Sequence, residues 1–322
     1  MKLNVLRNEY GFHDIKSISN LQGGFNEQET WLVELEPENK YVLKIIEYEY
    51  SMCQLEIILQ FQNYLCLNLN YPCPEIVLTT SLKLFVQIED KCIVFLQTYI
   101  NGQSPELSDL NEFYVREMGR LLGQWHLASR QFMNSLLLLS NFTRQELTDQ
   151  WWTEKFNRLV SCQHLKTIDI EYLRSILVQC KQKIECQDDT WERGLIHNDF
   201  QTSNTIYILQ ERKIFIIDFG EVTFAPFIMD LAMTLFLFLT NGVDDDKRLK
   251  LFLDSYQQFI QLNHQDIKLI DTFVRLKLTT NFIEDCANIK SDEEYQQSPW
   301  LQICNTTLHQ LKGDLFESLL SQ

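Results

Sequence analysis

Apolar positions recur with two different periods along this chain, and the change of period falls near residue 98. Before that point the pattern is that of short strands. Trp31-Leu32-Val33-Glu34-Leu35 and Lys40-Tyr41-Val42-Leu43-Lys44-Ile45-Ile46 flank Pro37-Glu38-Asn39, which predicts a hairpin. Lys83 to Gln87 and Cys92 to Gln97 flank Glu89-Asp90-Lys91 and predict a second. Between them, Ser51 to Leu65 places Leu55, Ile58, Leu59 and Leu65 at helical spacing. After Tyr99-Ile100-Asn101-Gly102 the pattern turns helical. Leu110 to Ser129 carries Met118, Leu121, Leu122, Trp125 and His126 on one face, and Ile170 to Cys186 and the segments beyond Asp246 follow the same period. The run Leu231 to Leu239 is apolar but too short to span a bilayer, so it predicts a buried helix. Asp244-Asp245-Asp246 stands where acidic side chains suit the positive end of a helix dipole and reads as a helix start, not a metal site. The expected architecture is α+β in two lobes: residues 1–98 with an antiparallel sheet and one helix, and residues 99–322, larger and mainly helical.

A chain of 322 residues is long enough for a full core and two packed lobes. Apolar residues at 45% and charged residues at 22% are ordinary for a soluble globular protein. The opening Met-Lys-Leu-Asn-Val-Leu-Arg-Asn-Glu-Tyr has no apolar h-region, so no secretory signal is expected. Nine cysteines without a C-x-x-C pair fit reduced, mostly buried thiols and a cytoplasmic location better than a disulfide framework or a zinc site. The net charge of −16 repels nucleic acid and anionic lipid, so neither a nucleic-acid nor a membrane partner is expected. That charge serves solubility, and it also suits a cationic, amine-bearing small molecule.

The chemistry concentrates in Gly194-Leu195-Ile196-His197-Asn198-Asp199-Phe200-Gln201-Thr202-Ser203-Asn204, followed by Ile216-Ile217-Asp218-Phe219-Gly220. An Asp, an Asn five positions on, and a second Asp fourteen residues later at the end of an apolar strand form one set. Phosphoryl transfer from ATP needs that set: one carboxylate facing the acceptor hydroxyl, and an amide oxygen and a carboxylate holding Mg²⁺. Asp199 is the candidate catalytic base, and Asn204 and Asp218 are the candidate metal ligands. His197 suits a structural role in the loop, and Asn198 suits a left-handed turn. Each residue alone is compatible with an ordinary turn; four at this spacing between apolar strands read as a kinase.

Upstream, Gly23, Gly24 and Asn26 lie in a loop between two apolar segments, where backbone N–H groups could approach phosphates. Lys44, in a predicted strand, is placed to reach the α- and β-phosphates, and Glu56 on the next helix to hold it as an ion pair, with Glu47 and Glu49 as competitors. Phe95 to Ile100 is the expected hinge, with Gln97 and Tyr99 offering backbone groups to the adenine edge. Trp151, Trp152, Tyr295 and Trp300 could line an acceptor pocket by cation–π contact, although core packing is the commoner fate of such residues. Glu221, Glu284-Asp285 and Asp292-Glu293-Glu294 could meet an ammonium group or simply be solvated.

The chain resembles the aminoglycoside phosphotransferase and choline kinase superfamily of kinase-like small-molecule phosphotransferases. The residues that carry the resemblance are His197-Asn198-Asp199 through Asn204, Ile217-Asp218-Phe219-Gly220, Pro226 and Asp230-Leu231-Ala232. Gly23-Gly24-Phe25-Asn26, Val42-Leu43-Lys44 and Met118 to His126 support it, so that it spans most of residues 10 to 240. Tyr10-Gly11-Phe12 and the Asp-Phe-Gly-Glu ending look most similar to the hydroxylysine kinase and homoserine kinase branch. The resemblance implies a bilobal protein-kinase-like fold and dependence on ATP and Mg²⁺. It also implies Asp199 as base, Asn204 and Asp218 as Mg²⁺ ligands, Lys44 as the phosphate-binding lysine, and Asp230 as a structural brace of the catalytic loop. The family usually has Gly where Asn198 stands, and often His-Pro-Gly-Asn where this chain has Gln201-Thr202-Ser203-Asn204; neither change removes a catalytic group.

Two other readings are distinguishable in the sequence. A protein kinase would place an activation loop and an Ala-Pro-Glu segment after Asp-Phe-Gly, whereas here Phe224-Ala225-Pro226 and apolar helical sequence follow almost at once. A catalytically inactive nucleotide-binding regulator would have no need of Lys44, Asp199, Asn204 and Asp218 together.

Overall fold

The structure is a computed structural model, and it describes residues 1–21, 29–47, 52–89, 92–106, 109–134, 147–186, 191–240, 246–311 and 315–316. In chain order the first elements are α1 (Lys2–Asn8), β1 (Ile15–Asn20), β2 (Glu29–Leu35), β3 (Lys40–Glu47), α2 (Met52–Leu69), β4 (Ile76–Val77), β5 (Val86–Glu89) and β6 (Cys92–Thr98). Then come α3 (Glu112–Asn134), α4 (Asp149–Ser161), α5 (Ile170–Glu185), β7 (Arg193–Ile196), β8 (Thr205–Ile208), β9 (Lys213–Ile216) and β10 (Thr223–Pro226). The helices α6 (Phe227–Thr240), α7 (Asp246–Tyr256), α8 (His264–Asn288), α9 (Asp292–Gln297) and α10 (Pro299–Gln310) complete the described chain. The fold is α+β. Packing divides it into two compact units, Met1–Ser104 with Ser203–Phe219, and Pro105–Thr202 with Gly220–Gln322.

The first unit is built on an antiparallel sheet in the order β1-β2-β3-β6-β4, with β5 also paired to β6. Period-two alternation along β3 sets its two faces. Leu43 and Ile45 join Leu6, Tyr10, Val33, Val94 and Leu96 on one side. Ile46 joins Leu59 of α2, Ile76 and Phe95 on the other. Lys44, between Leu43 and Ile45, therefore emerges on the α2 side. The hairpin β8–β9 belongs to this unit despite its distance in sequence. Three contacts attach it: Gln103 pairs with Tyr207, the Ile216 N–H donates to the Pro72 carbonyl at 2.8 Å, and Gly102 lies so close to Ile206 that a side chain at 102 would overlap it. Packing thus groups residues 99–104 and 203–219 with the sheet, beyond a boundary drawn from periodicity alone near residue 98.

In the second unit α6 is apolar nearly all round, and it is buried nearly all round. It packs on α8, while α3 packs along α7 so closely that a methyl group on Gly119 would overlap the Phe252 carbonyl. The two-stranded sheet of β7 and β10 delivers the chain to this helical core. Trp125 donates its indole N–H to the Leu195 carbonyl at 2.8 Å, and the Leu195 N–H donates to Ser129 Oγ at 2.6 Å, so α3 fixes β7 directly. Among the described residues no helix is long and apolar enough to cross a membrane.

Candidate active site

The loop that leaves β7 is held by a buried carboxylate. Asp230, in the first turn of α6 and 0% exposed, accepts the His197 N–H at 2.8 Å and the Asn198 N–H at 2.9 Å. Its Oδ2 also lies 3.2 Å from His126 Nε2. Asn198 takes φ +65°, the left-handed turn for which Asn is suited, and this brings two successive N–H groups onto one carboxylate. Behind the loop His197 is fully buried against Trp125 and Phe200, and Thr234 donates its hydroxyl to the Phe200 carbonyl at 2.9 Å. The loop is thereby clamped on both sides of Asp199. The Asp199 carboxylate, half-buried, accepts from Gln201 Nε2 at 2.6 Å. From α8, Lys277 reaches Asn198 Oδ1 at 3.3 Å.

His126 is also 0% exposed, and burial pushes its imidazole below the ordinary histidine range, outweighing the Asp230 charge that acts the other way. A neutral ring facing a carboxylate carries its proton on Nε2, so Nε2–H donates to Asp230 and Nδ1 accepts the Tyr256 hydroxyl at 2.9 Å. Burial, and then the Asp230 charge, push the Tyr256 phenol well up, which keeps it a donor. The unfolded chain therefore takes up a proton at His126 before the folded chain does. Stability rises with pH through that interval and falls as pH drops below the unfolded value of about 6.5. The expected result is a melting temperature that declines from neutral pH toward about pH 5, with a shallower decline in His126→Gln. Equal slopes in the two proteins would contradict this linkage.

The first unit carries the other half of the predicted residues. Asn204 immediately precedes β8, and Asp218 is the second residue after β9. Antiparallel pairing sets Thr205 opposite Ile216, and the Ile217 N–H donates to the Asn204 carbonyl at 2.9 Å. The pairing brings Asn204 and Asp218, fourteen residues apart in sequence, to one end of the hairpin. Asp218 has φ +62°, a conformation costly for a non-glycine residue and one that turns its side chain out of the strand line. Its Oδ1 meets Lys44 Nζ at 2.8 Å, and the Lys44 side chain is only 12% exposed. The two proposed metal ligands offer oxygen only, one amide and one carboxylate, which suits a hard cation that keeps water and phosphate for its remaining positions.

The expected partner of Lys44 is corrected by this geometry. Helix α2 buries Gln54, Ile57, Ile58, Phe61 and Leu65, and that phase turns Glu56 to solvent, where it accepts from Gln60 Nε2 at 3.3 Å. The lysine pairs with Asp218 instead. Gln97 is buried, and its side chain accepts from Gln62 Nε2 at 3.3 Å. The Thr98 and Tyr99 N–H groups donate to Glu75 and Lys40 carbonyls at 2.9 and 3.2 Å, so adenine contact through those donors would displace sheet hydrogen bonds. Gly23, Gly24 and Asn26 lie outside the described residues.

The aromatic and acidic residues of the second unit are largely engaged in packing and ion pairs. Trp152 and Tyr295 are buried, and Trp300 donates its indole N–H to Asp285 at 2.7 Å. Glu284 accepts from Lys155 and Arg158 at 2.7 and 2.9 Å, and Asp292 holds the Thr167 N–H and hydroxyl at 3.1 and 2.7 Å. Glu221 remains half-buried in the turn after Phe219-Gly220. Sequence reasoning missed Lys277, Tyr256 and Ser129 as supports of β7 and the loop that carries Asp199. They stand 79, 58 and 66 residues from Asn198, Asn198 and Leu195 respectively, and only the helix packing reveals them.

A family model described as the phosphotransferase enzyme family matches residues 17–258. No curated protein matches the chain. Among solved structures, the chain is similar to a microcompartment-associated aminopropanol kinase, with 17% identity, 99% of this chain and 98% of that chain covered, and a TM-score of 0.72. It is also similar to the amicoumacin kinase hAmiN, solved with AMP-PNP, Ca²⁺ and Ami, with 18% identity, coverage of 99% and 93%, and a TM-score of 0.69. The choline kinase LicA from Streptococcus pneumoniae is 15% identical, with 100% and 98% covered and a TM-score of 0.57. These likenesses identify the fold as kinase-like.

Proposed function

We infer the reaction from one premise, that the chain belongs to the phosphotransferase enzyme family, whose model covers most of its length. The reaction we propose is Mg²⁺-dependent transfer of the γ-phosphoryl group of ATP to a hydroxyl of a small, amine-bearing acceptor. The observation that carries this reading is the meeting of Asn204 and Asp218 through the pairing of β8 with β9, and of Asp218 with Lys44 through an ion pair at 2.8 Å. A cation for phosphate oxygens and two oxygen donors for Mg²⁺ meet at one end of the β8–β9 hairpin. When bound, Mg²⁺ would neutralise charge on the phosphate oxygens. Lys44 would pass from Asp218 to the phosphates, and the Asp218 carboxylate so released, with the Asn204 amide, would hold the ion. Asp199 would accept, or orient, the proton of the attacking hydroxyl, and Gln201 and the Asp230 brace would keep its carboxylate in one orientation.

The chain path after Asp218 supports a small acceptor. A single turn, Phe219–Glu221, leads straight into β10 at Thr223 and α6 at Phe227, leaving no segment that could act as an activation loop. The amine is supported by the net charge of −16 and by the substrates named for the similar structures, aminopropanol and choline. The hydroxy amino acids enter through the resemblance of the Asp-Phe-Gly-Glu ending to hydroxylysine and homoserine kinases.

The test is ADP formation from ATP and Mg²⁺ with a panel of amino alcohols, hydroxy amino acids and aminoglycosides, beside a protein substrate such as casein. Turnover that depends on at least one small acceptor is expected. Turnover with casein alone would make the chain a protein kinase, and nucleotide binding without turnover on any substrate would make it a regulatory module.

A further inference from the structure

One cation of the second unit reaches the loop that carries Asp199. Lys277 lies in the middle of α8, half-buried, between Leu276 and Leu278, which are both buried. A lysine set among apolar neighbours lays its methylene stem along the packed surface and brings its ammonium out at the end of it. Here the ammonium meets Asn198 Oδ1 at 3.3 Å, on the residue before Asp199. Asn198 has φ +65°, a turn that glycine makes at no steric cost, so the turn itself does not require the side chain. What the side chain adds is an oxygen that draws Lys277 to the loop. That oxygen carries no net charge, so the contact fixes the ammonium in place without neutralising it.

An acidic turn lies at the same end of the small sheet that delivers this loop. Thr223 of β10 pairs with Ile196 of β7, so the turn holding Glu221 and the loop holding Asp199 both leave that end. Residues 197–199, 221 and 277 all belong to the second unit. Taking Asp199 as the base, and so resting on the phosphotransferase reading, we propose that Lys277 sets acceptor specificity by pairing with a carboxylate of the acceptor. The acceptor is then a hydroxy amino acid in preference to an amino alcohol.

The charges give this preference two parts. A carboxylate entering beside Asp199 receives a charge-assisted hydrogen bond from Lys277, stronger than one between neutral groups. An amino alcohol brings an ammonium and no carboxylate, so Lys277 meets it as a like charge, and that repulsion adds to the discrimination. The amine of a hydroxy amino acid is matched to Glu221. Asp230, the other carboxylate at the loop, is already engaged by two main-chain N–H groups. Loss of one charge-assisted bond corresponds to an effect of about 10- to 10²-fold on kcat/KM.

The experiment gives the full chain matched acceptors that differ only by the carboxylate: serine with ethanolamine, threonine with isopropanolamine, and homoserine with propanolamine. ADP formation is measured for each, and binding of each to the ADP-loaded chain is measured by calorimetry. The amino acid of at least one pair should be preferred, in kcat/KM and in affinity, by about 10- to 10²-fold. Lys277→Met should remove that preference by raising KM for the amino acid, with KM for ATP and turnover of the decarboxylated partner little changed. Lys277→Arg, which keeps the charge, should keep the preference. The wild-type comparison needs no variant to fold. Four results would overturn the role of Lys277: equal use of both members of every pair, preference for the decarboxylated members, neither binding nor turnover of any amino acid, or a Lys277→Met defect that falls on ATP or equally on both members. Carboxylate-dependent binding without turnover would overturn the phosphotransferase reading and leave the acceptor site standing, so the two failures are separable.

Discussion

Replacing Asp199 by alanine is expected to lower kcat for acceptor phosphorylation by about 10²- to 10⁴-fold, the usual contribution of a positioned general base. Nucleotide affinity should change little. The reason lies in how the two halves are built. Lys44, Asn204 and Asp218 are assembled by the sheet and the β8–β9 hairpin of one unit, whereas Asp199 stands on the loop that Asp230 braces in the other. Asp199 accepts from Gln201 Nε2 at 2.6 Å, and its loss leaves the Lys44–Asp218 pair of the first unit intact. Steady-state kinetics with the best acceptor, together with ADP titration calorimetry, separates the two effects. A variant that keeps wild-type kcat would remove Asp199 from the mechanism, and one that loses ADP binding would place it on the nucleotide side.

Asp230→Ala is expected to be the most destabilising single substitution considered. It removes, in one step, the acceptor of two main-chain N–H groups and of the His126 Nε2–H, all fully or partly buried. Breaking a buried charged network by deleting one partner costs about 3–5 kcal/mol. A smaller loss is expected in Asp230→Asn, because the amide oxygen still accepts one N–H while its NH₂ faces donors. Urea denaturation read by tryptophan fluorescence gives both midpoints, and kcat should fall with them because the loop carrying Asp199 loses its anchor. A loss below about 1 kcal/mol in the alanine variant would mean that the loop is held elsewhere.

Much of this was legible in the sequence, for stated reasons. The hairpin around Pro37, the long helix through Trp125 and the apolar helix around Leu231 to Leu239 follow from local periodicity, and the second hairpin forms with its first strand at Val86–Glu89, later than the Lys83 to Gln87 that the pattern suggests. The left-handed Asn198 follows from a residue preference, and the bracing Asp230 from resemblance. What escaped is what periodicity leaves open. Helical spacing identifies α2 but not its rotation against the sheet, and a modest turn in that phase decides whether Glu56 meets Lys44 or water. Gln97 is expected at a hinge by position; that β6 is flanked by strands on both sides, setting Gln97 opposite Val42 and Ile76, is a matter of long-range pairing that local spacing does not carry. Strand pairing between β8 and β9 makes neighbours of Asn204 and Asp218, and packing joins that hairpin to the first unit. Lys277 and Tyr256 reach the loop region only through tertiary packing, for which no short-range signal exists.

The most direct test of the account is the fate of the γ-phosphoryl group. Acceptors that stimulate ADP formation should be recovered and analysed by mass spectrometry and ³¹P NMR, for wild type and Asp199→Ala. The account predicts a phosphate monoester on an acceptor hydroxyl, formed mole for mole with ADP by wild type and strongly depressed in the variant. ADP formed with inorganic phosphate alone, or a phosphorylated acceptor formed equally by both proteins, would contradict it.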